Sequence, residues 1–385
     1  MDNREAYLVL SLLPGIGPVR VNQLLTLFGE PRAILSAKPA ELARVPGIGA
    51  ALSDVVGNWS KHCDLAQEQR TMEQAGVQFV CRGDEDYPPL LRQIHDPPLG
   101  LYVRGNAHVF RNLQAAIAVV GSRHTTHYGV KMAESLATAA AVTGWTVVSG
   151  LARGIDAAAH LATLDAHGIT VAVLGSGLAH IYPQENVPLS RRIAAEGGAV
   201  VSEFPMLFPP DKRTFPMRNR IISGMCRGCI VVEAGDRSGS LITANQALDQ
   251  NRQVFAVPGR VDSAQSRGCH RLIKEGAKLV ETFQDVLEEF VVLPGLQAVP
   301  LSQESRPESS LHAGEIGPAD LQLSDLERKI ISFLGDQEVT IDAVVAGADE
   351  PPAKVLGAIV ALEMRRLIRQ LPGKRVVRYT GAVTG

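Results

Sequence analysis

Charge of one sign, cysteine, aromatic rings and long apolar runs are all scarce in this 385-residue chain, and each scarcity narrows what the protein can be. Lys and Arg number 38 against 40 Asp and Glu, a formal charge of −2, which excludes the uniformly basic surface that marks many nucleic-acid-binding proteins. Five cysteines (Cys63, Cys81, Cys226, Cys229, Cys269) are too few for a disulfide framework and fit a reducing compartment. Cys226-x-x-Cys229 has no second pair at zinc-finger spacing, so these thiols are expected to be buried rather than to hold a metal. No stretch approaches the roughly 18–20 apolar residues of a membrane span. The apolar run Tyr7–Leu13 is short, and no basic segment precedes it as in a secretory signal. The expectation is a soluble cytoplasmic protein of two or three domains, at about 100–200 residues each.

The common signatures of cofactor binding and catalysis are missing too. A dinucleotide site needs Gly-x-Gly-x-x-Gly after the first strand of an α/β unit; Gly121 stands there without that spacing, and Gly175-x-Gly177 has His180 where the third glycine belongs. There is no Gly-x-x-x-x-Gly-Lys-Ser/Thr loop. His160, His167, His180 and His270 are scattered, and no Ser, His and Asp arrangement emerges. Glu233 and Asp236 lie at the end of an apolar run, either as an acid pair or as structural groups. No catalytic residue, metal or cofactor is assigned.

What the chain does contain falls into distinct textures. Residues 1–75 read as helices punctuated twice, by Leu13-Pro-Gly-Ile-Gly-Pro18 and, 32 residues on, by Val45-Pro-Gly-Ile-Gly-Ala50. A Gly-hydrophobic-Gly turn between helices resembles the helix-hairpin-helix motif, in which backbone N–H groups can meet a phosphate. The same turns also serve to pack two small helical units, and Arg20 is the only base close after either. Residues 76–290 form a second domain. From about residue 110 apolar runs alternate with Ala- and Leu-rich helical stretches such as Tyr128–Thr143 and Leu241–Gln250. The runs are Ala115–Val120, Thr146–Ser149, Thr170–Leu174, Ala199–Ser202, Cys229–Glu233 and Gln253–Val257. Strands this uniformly apolar are buried on both faces, which predicts an α/β fold with a Rossmann-like, doubly wound parallel sheet whose ligands gather at the strand C-termini. Residues 291–321 lack periodicity and read as a linker. In 322–385, Ser324-Asp-Leu-Glu327 opens one helix, Thr340 caps a second and Pro351-Pro352 opens a third, followed by a hairpin of Ile368–Leu371 and Arg375–Tyr379 around Pro372-Gly373-Lys374. Three helices and a hairpin suggest a winged helix.

Several loops after the predicted strands are built of small residues: Gly121-Ser122-Arg123, Ser149-Gly-Leu-Ala-Arg-Gly-Ile-Asp156, Gly175-Ser176-Gly177 and Ala234-Gly-Asp-Arg-Ser-Gly-Ser240. Small residues let the backbone approach a ligand, and a following helix N-terminus favours an anion, so together these loops point to phosphate or nucleotide binding. Between Phe204 and Gly228 stand Lys212, Arg213, Arg218, Arg220 and Arg227 against a single acid, Asp211. Guanidinium groups can hold phosphates bidentately, and Phe215 in their midst can stack on an unpaired base.

Taken in order, the motifs resemble the DNA-processing protein A (DprA or Smf) family of bacterial DNA-uptake and recombination proteins. The resemblance rests on Tyr87-Pro-Pro-Leu-Leu91, Pro97-Pro-Leu-Gly-Leu-Tyr-Val-Arg-Gly105, Gly121-Ser-Arg123, Ser149–Asp156, Phe215-Pro-Met-Arg-Asn-Arg-Ile-Ile-Ser-Gly224, Val231–Ala234, Ser238–Ala244 and Val254-Phe-Ala-Val-Pro-Gly259. It implies a binding protein rather than an enzyme, one that grips single-stranded DNA, protects incoming strands in natural transformation and helps load the RecA recombinase. Carried over by motif, Ser122 and Arg123 would contact phosphate and Gly150 would leave room for the strand. Lys212 and Phe215 would supply charge and stacking, Arg218, Asn219 and Arg220 would complete the pocket, and Gly239 and Ser240 would shape its far side. The resemblance also implies a homodimer.

Two other readings stay open. Rossmann-like nucleotide phosphoribohydrolases also use Gly-rich strand-end loops and a glutamate placed somewhat like Glu233, although their Pro-Gly-Gly-x-Gly-Thr-x-x-Glu pattern is absent here. The winged helix could instead make the protein a duplex-DNA-binding regulator, or take a protein partner: Pro351–Gly385 holds seven bases (Lys354, Arg365, Arg366, Arg369, Lys374, Arg375, Arg378) against Glu363 alone. The preceding segment, Ser302–Glu350, holds eleven acids against three bases. The near-neutral total therefore conceals opposite local charges.

Overall fold

The computed structural model describes residues 1–291, 325–334, 339–348, 350, 354–355, 358–359, 362, 367–371 and 375–378. The chain divides into two compact units, Met1–Leu301 and Ser302–Gly385.

The first unit opens with six helices: α1 (Asn3–Leu12), α2 (Pro18–Phe28), α3 (Pro31–Ser36), α4 (Pro39–Leu42), α5 (Ala50–Gly57) and α6 (Leu65–Gln74). Asp2 caps α1 in a reciprocal box with Glu5, and Asp64 caps α6 through the Gln67 N–H. The two Pro-Gly-Ile-Gly turns are built alike. Gly15 and Gly47 take φ of +75° and +79°, and Gly17 and Gly49 are the N-caps of α2 and α5. Arg20 turns back to donate to the Gly15 carbonyl at 2.6 Å, so the one base near these turns closes its own turn.

A nine-stranded sheet follows, in the order β1-β2-β6-β5-β4-β3-β7-β8-β9. Its strands are β1 (Val77–Cys81), β2 (Gly100–Gly105), β3 (Ala116–Val120), β4 (Thr146–Ser149), β5 (Thr170–Leu174), β6 (Ala199–Ser202), β7 (Gly228–Val231), β8 (Gln253–Ala256) and β9 (Lys278–Leu279). Strands β3 to β9 are parallel, and helices cover them: α7 (His127–Val142), α8 (Ile155–Asp165), α9 (Val187–Ala195), α10 (Thr214–Gly224), α11 (Gly239–Asp249) and α12 (Arg267–Lys274) as crossovers, with α13 (Phe283–Val291) after the last strand. Strand β3 sits between β4 and β7, so the winding reverses there and the sheet has its topological switch point at β3 and β7.

All six runs read from the sequence are strands, with ends shifted by no more than two residues. The sheet nevertheless begins earlier than the expected core near residue 110, because β1 and β2 extend it with antiparallel pairs, Val77 opposite Arg104 and Tyr102 opposite Ser202. The intervening segment carries Pro88, Pro89, Pro97 and Pro98, which break any periodic signal, and a hydrogen bond from Tyr87 Oη to the Pro98 carbonyl (2.7 Å) pins it. The helical region packs on this antiparallel edge: Leu8, Leu10, Val21 and Leu24 share one apolar core with Phe79, Tyr102, Leu174 and Val200. Glu68 of α6, buried, accepts a hydrogen bond from the Met206 N–H (2.8 Å) beyond β6. Helices and sheet are thus one folded body.

The second unit contains α14 (Asp325–Leu334), β10 (Val339–Thr340), α15 (Ile341–Ala348), β11 (Ile368–Leu371) and β12 (Arg375–Arg378). Thr340 Oγ1 accepts from the Ala343 N–H at 3.3 Å, the expected cap. Ile330, Leu334, Val344, Val355, Ile359, Leu362, Ile368 and Val376 form its core. The hairpin β11–β12 is the expected wing, and β10 joins it as a third antiparallel strand. The rest of the anticipated linker after Val291, Ser324, the Pro351-Pro352 start, the Pro372–Lys374 turn, and Glu363, Arg365, Arg366 and Tyr379 lie outside the described residues.

One buried histidine sets a pH dependence for the first unit. Thr170 Oγ1 donates to the Val147 carbonyl (2.7 Å) and so accepts from His160 Nδ1 at 2.6 Å, while His160 Nε2 is buried without a partner among the described residues. Burial holds this imidazole down to about 3, with the Arg218 charge acting in the same direction. The unfolded chain takes up a proton near pH 6.5 that the folded chain refuses, so stability falls as pH drops from about 6.5 toward 3, by about 1.4 kcal/mol per unit from this group. The difference in urea-unfolding stability between the unaltered protein and His160→Asn is expected to carry that slope between pH 6 and 4.

Candidate nucleic-acid interface

At the switch point the loops after the parallel strands enclose a cleft of about 670 Å³. Its walls come from segments far apart in sequence: Gly121–His124 after β3, Asp156 at the start of α8, Tyr182 beyond β5, Lys212–Asn219 leading into α10, and Gly235–Thr243 leading into α11. A smaller lobe of about 150 Å³ adjoins it and shares Arg123, Phe215 and Arg218 while adding Gly150 and Arg153.

The floor is built on Arg218. This side chain is 4 % exposed, and its Nη1 donates to the Gly150 carbonyl (2.7 Å) and to the Val173 carbonyl, tying α10 to the ends of β4 and β5. A Cβ on residue 150 would lie 2.6 Å from the guanidinium, so Arg218 occupies the space beside Gly150, while Gly150 itself also lines the smaller lobe. Burial pushes the guanidinium down to about 10, with Asp156 opposing the shift and Arg123 adding to it. Asp156, also buried, accepts from the N–H groups of Gly150 (3.1 Å) and Ala152 (3.3 Å); burial raises its carboxyl above the usual range, and Arg218 limits the rise. Arg218 Nε also donates to Asn219 Oδ1 (3.2 Å), so Nε and Nη1 are committed to shaping the cleft while Nη2 makes no hydrogen bond among the described residues.

The rim is different. Arg123, Lys212 and Arg237 are exposed and line the cleft, and no carboxylate of the described residues lies within ion-pair distance of any of them. Neighbouring cations are engaged: Arg213 by Asp211 (3.0 Å), Arg153 by Glu185 (2.6 Å) and Arg267 by Asp236 (3.7 Å). Ser122 Oγ accepts from the His124 N–H (3.0 Å), which leaves its proton free to donate into the cleft. On the far side Gly239 and Ser240 are the first residues of α11, whose N-terminal partial positive charge adds to that of the rim; Ser238 caps it, its hydroxyl 2.7 Å from that of Ser240. Asn219 reaches the Gly239 carbonyl (3.4 Å) and braces the two helices. The Phe215 ring has the Arg123 guanidinium 5.2 Å from its centroid and the Tyr182 ring at 5.6 Å.

The structure thus gathers Ser122, Arg123, Lys212, Phe215, Arg218, Asn219, Gly239 and Ser240 around one cleft, with Gly150 beneath it. Arg220 is elsewhere. Further along α10 than Met217, it is 8 % exposed, fastened to both Glu203 oxygens (2.8 and 2.7 Å) and to Asp96 (2.8 Å), so it joins α10 to the body of the protein and does not complete the pocket. Loop Gly175–Gly177 also departs from the expected ligand role: the Gly175 carbonyl accepts from Thr214 Oγ1 (2.5 Å) and the Gly177 N–H donates to the Phe208 carbonyl (2.9 Å), clasping the segment that carries Lys212. Tyr182 and Arg237 escaped sequence reasoning. Arg237 stands inside the small-residue loop Ala234–Ser240, where being its one base could have singled it out; Tyr182 is brought to Phe215 only by folding.

Glu233 is 3 % exposed and holds the entry to α7, accepting from Thr125 Oγ1 (2.7 Å), Thr126 N (2.9 Å) and Thr126 Oγ1 (2.6 Å). It does not line the cleft. Cys226 and Cys229 are buried thiols raised by burial, the latter to about 12, and among the described residues no group of His, Cys, Asp and Glu is arranged to hold a metal.

Fold and cleft define a Rossmann-like α/β protein with a cationic, aromatic-lined crevice at its switch point, carrying tandem helical hairpins before the sheet and a winged helix after it. The sequence matches DNA recombination-mediator protein A over residues 78–291, the DprA winged helix domain over 316–374 and a SAM-like helix-hairpin-helix tandem over 7–54. The chain belongs to the DNA recombination-mediator protein A family, which includes the proteins called DprA and Smf. Protein Smf of Synechocystis is 34 % identical over 397 residues, covering 98 % of this chain and 99 % of that one. Protein Smf of Escherichia coli K12 is 39 % identical over 302 residues, covering 78 % of each. Among solved structures, DNA processing protein A from Streptococcus pneumoniae matches with a TM-score of 0.65 and 37 % identity, over 75 % of this chain and 98 % of that one.

The contrast between a structural and a rim arginine is testable. Arg220→Ala strips the partner from Glu203, 12 % exposed, and is expected to destabilise the fold by about 3 kcal/mol in urea unfolding. Arg123→Ala, at an exposed unpaired site, is expected to stay within about 0.5 kcal/mol of the unaltered protein.

Proposed function

We propose that the strand-end cleft binds single-stranded DNA without regard to sequence, and that the protein acts as a binding factor in DNA processing rather than as an enzyme. The observation that carries this reading is the rim: Arg123, Lys212 and Arg237, all exposed and unpaired among the described residues, line one cleft with an aromatic ring pair and the capped N-terminus of α11. Unpaired cations attract phosphates, which carry no base information, and rings accept any base that is free to unstack. A duplex keeps its bases stacked and out of reach of Phe215. In this reading Ser122, Arg123 and Lys212 meet phosphates and Phe215 meets a base, while Arg218, Asn219, Gly150, Gly239 and Ser240 hold the cleft in shape.

The family membership supports the wider role: protecting incoming strands in natural transformation and helping to load RecA, in the cytoplasm and as a homodimer. Among the described residues no helix is long and apolar enough to cross a membrane. The parts read from the sequence, 1–75, 76–290 and 322–385 with a linker over 291–321, are taken as the functional divisions. The helical region packs on the antiparallel edge of the sheet, and the winged helix offers a separate surface for duplex DNA or a protein. The phosphoribohydrolase alternative needs a glutamate facing the ligand; Glu233, committed to two threonines, is poorly placed for that.

Arg123→Ala and Lys212→Ala are each expected to weaken binding to several unrelated single strands by similar factors, and to lower the slope of log affinity against log salt by about 0.7 for each phosphate left unneutralised. Fluorescence anisotropy titrations across a salt series check this. Unchanged affinity in both folded variants rejects the assigned cleft, and release of free base from nucleoside monophosphates that Glu233→Gln abolishes would replace the binding reading with a catalytic one.

A further inference from the structure

We propose that Tyr182 is a second base-stacking residue and that the small lobe beside it seats one unpaired pyrimidine. The proposal rests on the single-strand reading of the main cleft and limits its indifference to sequence at one position, where a pyrimidine fits better than a purine. Tyr182 belongs to the walls of both the main cleft and the 150 Å³ lobe, as do Arg123, His124, Ala152, Phe215 and Arg218, so the Tyr182 and Phe215 rings stand with Arg123 where the two spaces meet. A cavity of about 150 Å³ is known to accept a single benzene-sized ring, which is the size class of a pyrimidine rather than a purine.

The state of the tyrosine itself points outward. Tyr7, Tyr87 and Tyr102 are core residues, and Tyr128 spends its hydroxyl on the Pro258 carbonyl at 2.7 Å. Tyr182 is 39 % exposed, and its hydroxyl makes no hydrogen bond among the described residues. Its ring lies 5.6 Å from that of Phe215 at an interplanar angle of 39°, an open wedge rather than a closed stack. Arg153 is held at the smaller lobe by a bidentate pair with Glu185 (2.6 and 2.7 Å), whereas Arg123, His124 and Arg218 line it without an ion-paired carboxylate among the described residues. A strand crossing from one space to the other would set one base on the Phe215 side and the next against Tyr182, with Arg123 between them to meet the connecting phosphate.

Binding of the full chain to a fluorescent oligothymidylate, to an oligodeoxyadenylate and to an abasic strand of equal length tests this, with Tyr182→Ala and Tyr182→Phe compared with the unaltered protein. Loss of one stacked base predicts about tenfold weaker oligothymidylate binding by Tyr182→Ala, a smaller loss on oligodeoxyadenylate, no change on the abasic strand, and unaltered binding by Tyr182→Phe. Full oligothymidylate affinity in a folded Tyr182→Ala protein overturns the proposal while leaving the main cleft intact. Equal losses on thymidylate and abasic strands also overturn it, because the residue would then only hold the cleft in shape. If the unaltered chain prefers neither base-bearing strand to the abasic one, the stacking role of the whole cleft fails along with this seat.

Discussion

A single buried cation organises the crevice. Arg218 is buried enough to be pushed down to about 10, and a guanidinium in that position needs acceptors for the N–H groups it buries. The carbonyls of Gly150 and Val173 accept from it, and the Asp156 carboxylate nearby opposes its desolvation. The consequences spread outward. Residue 150 can carry no Cβ, α10 is locked against the ends of β4 and β5, and the Lys212–Phe215 segment at the head of α10 is delivered to the mouth of the cleft. Arg220 fastens the same helix to Glu203 and Asp96, so α10 is held by two arginines with unlike partners.

This division of labour explains how a chain with a net charge of −2 can present a cationic site. Field at a surface depends on which charges are left unpaired and where, rather than on the total. Arg213, Arg153 and Arg267 are each answered by a nearby carboxylate, whereas Arg123, Lys212 and Arg237 converge on the crevice unanswered among the described residues. The helix N-terminus of α11 contributes in the same sense without adding formal charge.

Much of the sheet was legible because parallel strands buried on both faces must be apolar throughout, and Ala116–Val120 or Thr170–Leu174 carry no competing helical period. The small residues after those strands identified the right edge of the sheet for the same reason: a crossover must turn tightly into a helix there. The antiparallel strands β1 and β2 were not legible. Val77–Cys81 is short, and Gly100–Gly105 follows two Pro-Pro pairs; each is a strand only because its neighbour supplies the ladder.

Residue type and spacing by themselves determined the class of fold, the edge that carries the crevice, and the pool of cations and the one ring, Phe215, from which the site is drawn. They could not rank that pool. Arg218 and Arg220 stand two positions apart in one motif, and on a helix that spacing turns side chains about 200° from each other, so one enters the floor of the crevice and the other the protein body. The tertiary structure alone decided which arginines are spent on carbonyls and carboxylates, that Glu233 is a fastener, and that Tyr182 meets Phe215 across more than thirty residues of chain. The physical reason is common to all of these: hydrogen-bond partnership and desolvation depend on what the fold brings within about 3 Å, and distance along the chain does not encode it.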